Sequence, residues 1–541
     1  MWLEILTLDT GKTYLDHAGS QLPAKTLINS FAADLNSHLY GNPHSASTPS
    51  HLAGERVDEI REQTLKFFNA SSEDFELIFV ANATAAVRLV TECIQDYVAS
   101  LPKPMLSKKP TFSFSYHREC HNSLVGIREV ANSHLCVDDE DVEQWLSSGA
   151  SKKRMANNGV HLFAYPGQSN FNGRRLPLQW PNRIREAGMQ DTYTLVDAAA
   201  LATTTPLNLD AMQPDFLAVS FYKIFGFPDL GGLIVRKAST ARIIAARRYF
   251  GGGTVDVVAA QRGSGSGRGQ TPGWHVKRAA LSAQLEGGTL PFHNIVALGH
   301  ALRTHHDLYG ADPMAAISRR TSALAAAAYA RMMAARHRGG APVFAVYKDN
   351  RAVYGDPATQ GATLAFNVLR ADGTAVGFKD VERAADRKGI FVRSGGHCNP
   401  GGVTSYLGWT PRDLREMYVR MGHACEDMVQ LYLGRPTGVV RASLGACSTM
   451  KDIDALLDFV REEYVDKAPA APAEMSLRQI VVEMESRTLD DADGTGEGST
   501  ATDRSKRVMM TLRTGKSHSW LENLLDIVNV RKVWNTGVLL I

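Results

Sequence analysis

From about residue 20 to residue 465, short apolar runs alternate with helix-patterned stretches, and this alternation narrows the possible folds more than any other feature. Glu76–Val80, His161–Ala164, Thr194–Val196, Phe216–Ser220 and Gly232–Val235 each read as a short buried strand closed by a turn signal. Helical patterns such as Ala85–Asp96 and Ile295–His306 lie between them. This order predicts an α/β protein with a mostly parallel sheet covered on both faces. A second, helical and mixed region is expected over about 315–465, with an alanine-rich helix over Arg319–Arg338. The expected organisation is a segment over 1–44 that joins a small domain, a large domain over 45–310, the small domain over 311–466, and a linker and tail over 467–541. Gly263–Gly269 reads as a mobile loop, KAPAAPA after Asp466 as a linker, and the polar stretch 484–506 as disordered.

Composition excludes several classes. Hydrophobic residues make up 44% and charged residues 21% of 541, ordinary for a soluble globular protein. Lys and Arg number 59 against 56 Asp and Glu, a net charge of +3, so neither nucleic acid nor an anionic membrane is an expected partner. The six cysteines, at 93, 120, 136, 398, 425 and 447, form no C-x-x-C pair, so no zinc ribbon, thioredoxin-like motif or other metal site is expected. Their sparseness fits a reducing compartment. The N-terminus lacks the pattern of a secretory signal, and no run of about 18 apolar residues appears. The expected location is the cytoplasm.

The residues that can carry chemistry stand next to the apolar runs. Lys223 lies in SFYKIFGFP, between the runs FLAVS and GGLIV. A lone lysine is most often a surface residue, but a buried one is costly unless neutral or bonded. Asp197 ends TYTLVD, where α/β proteins place functional groups; a helix N-cap is its bland alternative. Asn82-Ala83-Thr84 joins a strand to a helix whose first amides can hold phosphate, or Thr84 is simply an N-cap. His121 follows the apolar TFSFSY and could stack on a ring and move protons, though an ordinary polar role is commoner. Cys398 stands in FVRSGGHCNPGG, a glycine-rich stretch read as a flexible, exposed loop; Arg393 and His397 would favour its thiolate. An incidental surface thiol is the alternative. Arg441 sits inside the strand-like VVRASLG and needs an anion, either a substrate carboxylate or a structural Asp or Glu.

Taken in order, these segments resemble the class V aminotransferases, and among them the cysteine desulfurases, over roughly residues 12–465. The resemblance implies the fold type I of pyridoxal-phosphate-dependent transferases, a large domain with a mostly parallel central sheet plus a smaller α+β domain. It makes Lys223 the Schiff-base lysine, Asp197 the partner of the pyridine nitrogen and His121 the ring-stacking residue. Ala83, Thr84 and Ser220 would seat the phosphate, and Thr289 in EGGTLPF would reach the phosphate of a neighbouring protomer in a homodimer. Asn170 in QSNFNG would touch cofactor and substrate, Arg393 and Arg441 would hold the substrate carboxylate, and Cys398 would carry a persulfide. YLDHAG (14–19), YGNPHS (40–45), SFYKIFGFP (220–228), YFGGGT (249–254) and RPTGVVRASLG (435–445) are most similar to the molybdenum cofactor sulfurase family. The implied activity is desulfuration of L-cysteine to L-alanine through an enzyme persulfide. The implied acceptor is the molybdenum cofactor or a carrier protein.

Departures from that pattern matter. Gly396 and Val403 stand where extra cysteines usually flank the central one, and Ala200 stands where bacterial desulfurases carry glutamine. The YPIKSC-like opening of the family's C-terminal β-rich domain is not found after Leu477, and that domain is not expected in the remaining residues. Two other readings stay open at this level. A pyridoxal-phosphate lyase or carbon–carbon bond-forming enzyme would keep Lys223, Asp197 and His121 without needing Cys398. A degenerate, non-catalytic relative would need none of them.

Overall fold

Successive residues of a strand point to opposite faces of its sheet, and in the central strands of this chain both sets are apolar. The computed structural model describes residues 11–102, 109–148, 159–189, 191–259, 274–421 and 429–467. All of these lie within one unit of the chain, Met1–Ala471. The strands are, in order, β1 (Thr13–Tyr14), β2 (Phe75–Val80), β3 (Thr111–His117), β4 (Ser133–Val137), β5 (Gly159–Pro166), β6 (Thr192–Asp197), β7 (Phe216–Ser220) and β8 (Gly231–Arg236). They continue with β9 (Val255–Val258), β10 (His275–Lys277), β11 (Phe344–Tyr347), β12 (Thr363–Val368), β13 (Ile390–Phe391) and β14 (Arg393–Gly395). The last are β15 (Leu431–Tyr432), β16 (Arg435–Pro436) and β17 (Val439–Ser443).

A seven-stranded sheet runs in the order β2-β8-β7-β6-β5-β3-β4. Neighbours from β7 to β4 are parallel, while β8 runs against both β7 and β2. Val80 and Ser220 both pair with Gly231, so β2 and β7 end at the same edge. Leu77, Phe79, Phe163, Tyr165, Leu217 and Val219 face a core shared with Val57, Ile60 and Leu298. The intervening Ile78, Leu162, Ala164, Phe216 and Ala218 face a second core with Val90 and Ile94 of the helix Ala83–Ser100. Both faces are thus covered, as strand–helix alternation requires.

Sequence reading missed β4. It is an edge strand that exposes Ser133, His134, Leu135 and Cys136, so it carries no apolar alternation.

A second, antiparallel sheet has the order β11-β12-β17-β14. Phe366, Val440, Phe378 and Leu456 pack together beneath it. The expected helix over 319–338 in fact spans Pro313–Ala334, begun by Asp312 as N-cap with proline next. The N-terminal segment packs with this second sheet: β1 and β13 form a separate parallel pair, Asp16 bridges to Ser443 of β17, and Leu15 is buried in the same core. The pairs β9–β10 and β15–β16 stand apart as two-stranded ladders. The Gly263–Gly269 loop, Cys425 and the tail after residue 467 lie outside the described residues. No described helix is long and apolar enough to cross a membrane.

Candidate active site

Strand ends gather the expected residues. Asp197 is the last residue of β6, Lys223 follows the end of β7 within the single turn Tyr222–Phe225, and His121 follows β3. Ala83 and Thr84 open the helix after β2. Because β2, β3, β6 and β7 run the same way, these residues share one edge of the sheet, where open α/β sheets bind ligands.

Lys223 has no hydrogen bond or ion pair among the described residues. Burial pushes its pKa down, Asp197 and Asp16 oppose that shift, and Arg441 and Arg393 reinforce it. The amine is therefore easier to free of its proton than a surface lysine's. His121 lies within the field of the same groups; burial is the main cause that lowers its pKa. Its Nδ1 accepts the Ser123 amide at 3.1 Å, so in the neutral ring Nε2 carries the proton. Asp197 Oδ1 accepts the Ala199 amide at 2.9 Å, and its other oxygen stays available.

The cap of the helix Ala83–Ser100 is Asn82, which accepts the Ala85 amide, and not Thr84. Ser220 Oγ accepts the Ala83 amide at 3.0 Å. Thr84 is exposed, with its hydroxyl 2.7 Å from that of Ser123. A Cβ on Gly231 would stand 2.5 Å from Asn82 Cα, so only glycine lets the reversed strand pass under this turn. The residues fit a pyridoxal phosphate: an unpartnered amine, a carboxylate, an imidazole, and a helix N-terminus flanked by hydroxyls. Thr289 is exposed, and Asn42 Nδ2 donates to its hydroxyl at 3.4 Å.

Arg441 and Arg393 are directly opposite each other on β17 and β14. Arg441 is fully buried, and the structural ion pair that stood as one of its two expected roles is present, with Asp16 as the partner the sequence did not single out: Nη2 lies 2.7 Å from Asp16 Oδ1. Its Nη1 donates to the Asn170 carbonyl at 2.8 Å, while Nε is buried without a partner. Asn170 is half-buried and makes two side-chain contacts within the protein. Its Nδ2 donates to the His397 carbonyl at 2.7 Å, and its Oδ1 accepts from Asn399 Nδ2 at 3.0 Å.

Cys398 is exposed, as expected, but two expectations about its surroundings need correction. The segment is no open loop: β14 ends at Gly395 and a helix begins at Pro400. A Cβ on Gly401 would stand 1.7 Å from the Arg118 carbonyl oxygen, so this glycine serves close packing, not freedom. Nor does His397 favour a thiolate. It is buried and its pKa is pushed well below the usual range by burial first, then by Arg441 and Arg393, so it carries no charge. Arg393, exposed on β14, is the cation left of the pair expected there. Cys93, Cys120 and Cys447 are buried, whereas Cys136 is exposed on the edge strand.

Comparison with known proteins places these residues in context. The family model described as aminotransferase class-V matches residues 13–456. A molybdenum cofactor sulfurase of Aspergillus niger is 47% identical over 462 residues, covering 84% of this chain and 53% of the relative. One of Chaetomium globosum is 41% identical, covering 86% of this chain and 57% of the relative. The chain thus spans about half the length of the curated relatives it matches. Among solved structures, the cysteine desulfurase CsdA of Escherichia coli superposes with a TM-score of 0.58 at 19% identity, over 85% of this chain and 96% of that one. A cysteine desulfurase from Thermococcus onnurineus gives 0.62 at 17% identity, with the same coverage of 85% and 96%. At such identities the likeness speaks for the fold, a type I arrangement of a large, mostly parallel sheet with a smaller domain.

Proposed function

Because the chain belongs to the class-V aminotransferase family, we propose that it is a pyridoxal-phosphate-dependent sulfurtransferase that takes sulfur from L-cysteine and releases L-alanine. The observation that carries this reading is the meeting of the unpartnered Lys223 with Asp197 and His121 beside an exposed Cys398, whose carbonyl accepts the amide of Asn122, next to His121.

When bound, pyridoxal phosphate supplies an electron sink for the pair left at the substrate Cα. Lys223 holds the cofactor at rest, and its Nζ, easily freed of its proton, takes the proton from Cα. Asp197 would keep a proton on the ring nitrogen, and His121, with its proton at Nε2, would stack against the ring. Ala83, Thr84 and Ser220 seat the phosphate. Arg393 and Arg441 grip the substrate carboxylate, with the unpartnered Arg441 Nε as a free donor. Asn170 would touch cofactor and substrate while also holding the Cys398 segment.

The Cys398 thiolate attacks the sulfur of the bound cysteine. A sulfur–sulfur bond forms, the substrate Cβ–S bond breaks with its electron pair going to Cβ, a proton completes the methyl group, and the proton that Lys223 took returns to Cα to give alanine. The step is internally balanced and needs no outside oxidant. The persulfide then passes to the molybdenum cofactor, named by the fungal relatives, or to a carrier protein. The protein works in the cytoplasm as a two-fold dimer, in which Thr289 reaches the phosphate of the neighbouring copy; an active monomer in sedimentation would remove that arrangement.

The test is incubation of the coloured, cofactor-loaded protein with L-cysteine, measuring alanine and protein-bound persulfide together. Equal early yields of both support the reading. Cysteine consumed without persulfide points to a lyase, and a protein that takes up no cofactor points to a non-catalytic relative.

A further inference from the structure

The segment that bears Cys398 is held in a conformation that needs holding. His397 and Cys398 are consecutive non-glycine residues in the left-handed region, with φ of 54° and 53°. Such residues persist only where surroundings over-determine them. Besides the local bond from the Asn399 amide to the Gly396 carbonyl at 3.0 Å, two restraints cross from the larger sheet's side. The Cys398 carbonyl accepts the Asn122 amide at 2.8 Å, and the His397 carbonyl accepts Asn170 Nδ2 at 2.7 Å.

Asn399 ties these together. It is 1% exposed. Its Oδ1 caps the following helix by accepting the Gly402 amide at 2.8 Å. Its Nδ2 donates to the Glu119 carbonyl at 2.9 Å and to Asn170 Oδ1 at 3.0 Å. Glu119 is itself immobilised, because its Oε1 accepts from Arg174 Nη1 at 2.8 Å and from the Tyr406 hydroxyl at 2.9 Å. Tyr406 lies on the helix Pro400–Leu407 that Asn399 caps, so Glu119 holds both the residue after the cysteine and the helix that follows it.

We propose that Asn399 is a positioning residue, which fixes the Cys398 thiol at the Lys223 site so that sulfur transfers to a stationary acceptor and not to a swinging loop. This rests on the desulfurase reading above. Attack at sulfur is sensitive to placement: a shift of about 1 Å can cost on the order of 100-fold in rate.

Two substitutions separate the bridge from the cap. Asn399→Ser keeps a good helix cap but is too short to reach Glu119 or Asn170. Asn399→Asp keeps shape and cap but sets a carboxylate against two oxygens. Both are made in the full chain and assayed with L-cysteine for cofactor colour, the spectral change on adding cysteine, KM, turnover and persulfide yield. The expected result is retained colour, retained spectral change and near-wild-type KM, with turnover and persulfide formation down by about 10- to 100-fold. Turnover within about twofold of wild type in both variants overturns the proposal. So does a parallel loss of colour and thermal stability, which marks a general folding role. A wild-type protein that yields neither alanine nor persulfide is a separate result: it sinks the desulfurase reading, and this proposal with it.

Discussion

Asp16 and Arg441, 425 residues apart in the chain, form a 2.7 Å ion pair that neutralises the most deeply buried guanidinium near the candidate site. Arg441 is 2% exposed and Asp16 22%. Removing one partner leaves a charge stranded in a poor solvent. Asp16→Asn should therefore lower stability by about 2–3 kcal/mol, less than for a fully enclosed pair because water still reaches Asp16. Urea unfolding measures this, and an unchanged midpoint would mean that another group balances Arg441.

Lys223→Ala should leave a folded protein that no longer holds pyridoxal phosphate covalently. The reason is local: Lys223 is the amine facing Asp197 and Arg441 without a partner of its own. The check is absorbance after dialysis, and a variant that stays yellow and turns over cysteine sends the assignment elsewhere.

Cys398→Ala should keep the colour and the spectral response to cysteine, while alanine release falls by about two orders of magnitude or more. The buried Cys93, Cys120 and Cys447 cannot replace it without opening the core. Exposed Cys136 belongs to the far edge strand of the larger sheet. Wild-type alanine release from the variant would leave the cofactor site standing and remove the persulfide step.

Acid should destabilise the protein through buried neutral histidines. Burial lowers the pKa of His17 and His161 to about 4 and that of His305 to about 3, from 6.5. The unfolded chain then takes up protons first, so stability is intact above the unfolded value of 6.5 and is lost as pH falls from there toward the folded values. Each site costs about 2 kcal/mol by about pH 5. His305 sits edge-on to Phe225 and Tyr309, at 4.8 and 4.9 Å, with Nε2 unpartnered. His305→Phe should shrink the drop in melting temperature between about pH 7.5 and about pH 5; an unchanged drop would clear His305 of any part in it.

What could be read in advance follows a physical rule. Lys223 and Asp197 stand out in the sequence because one follows and the other ends an apolar strand, where a polar group has no packing purpose, whereas Ser220 is named by the resemblance alone. Asp16, Glu119 and Asn399 do not stand out, because what defines them is a partner supplied by a distant part of the chain. The Cys398 segment misled for a related reason. Its glycines look like hinges in sequence, yet Gly401 is small so that the Arg118 backbone can lie against it. β4 escaped because an exposed edge strand has no apolar face to declare itself.

The pairing of the N-terminal segment with the second sheet also sets a schedule for biosynthesis. Leu15 accepts the Ser443 amide, and Ala18 donates to the Ser443 hydroxyl across a separation of 425 residues. At roughly 5–20 residues per second, a ribosome takes roughly 20–85 s to make the partner of a segment already in solution. During that interval Leu15 is bare and Asp16 has no cation to meet. The larger sheet, whose strands all lie between Phe75 and Arg236, can assemble while the chain is still being made, but the arginine end of the site must wait. The contacts of Leu15 and Asp16 should thus form only after β17 has been made, and a chaperone that shelters this segment would act in that interval.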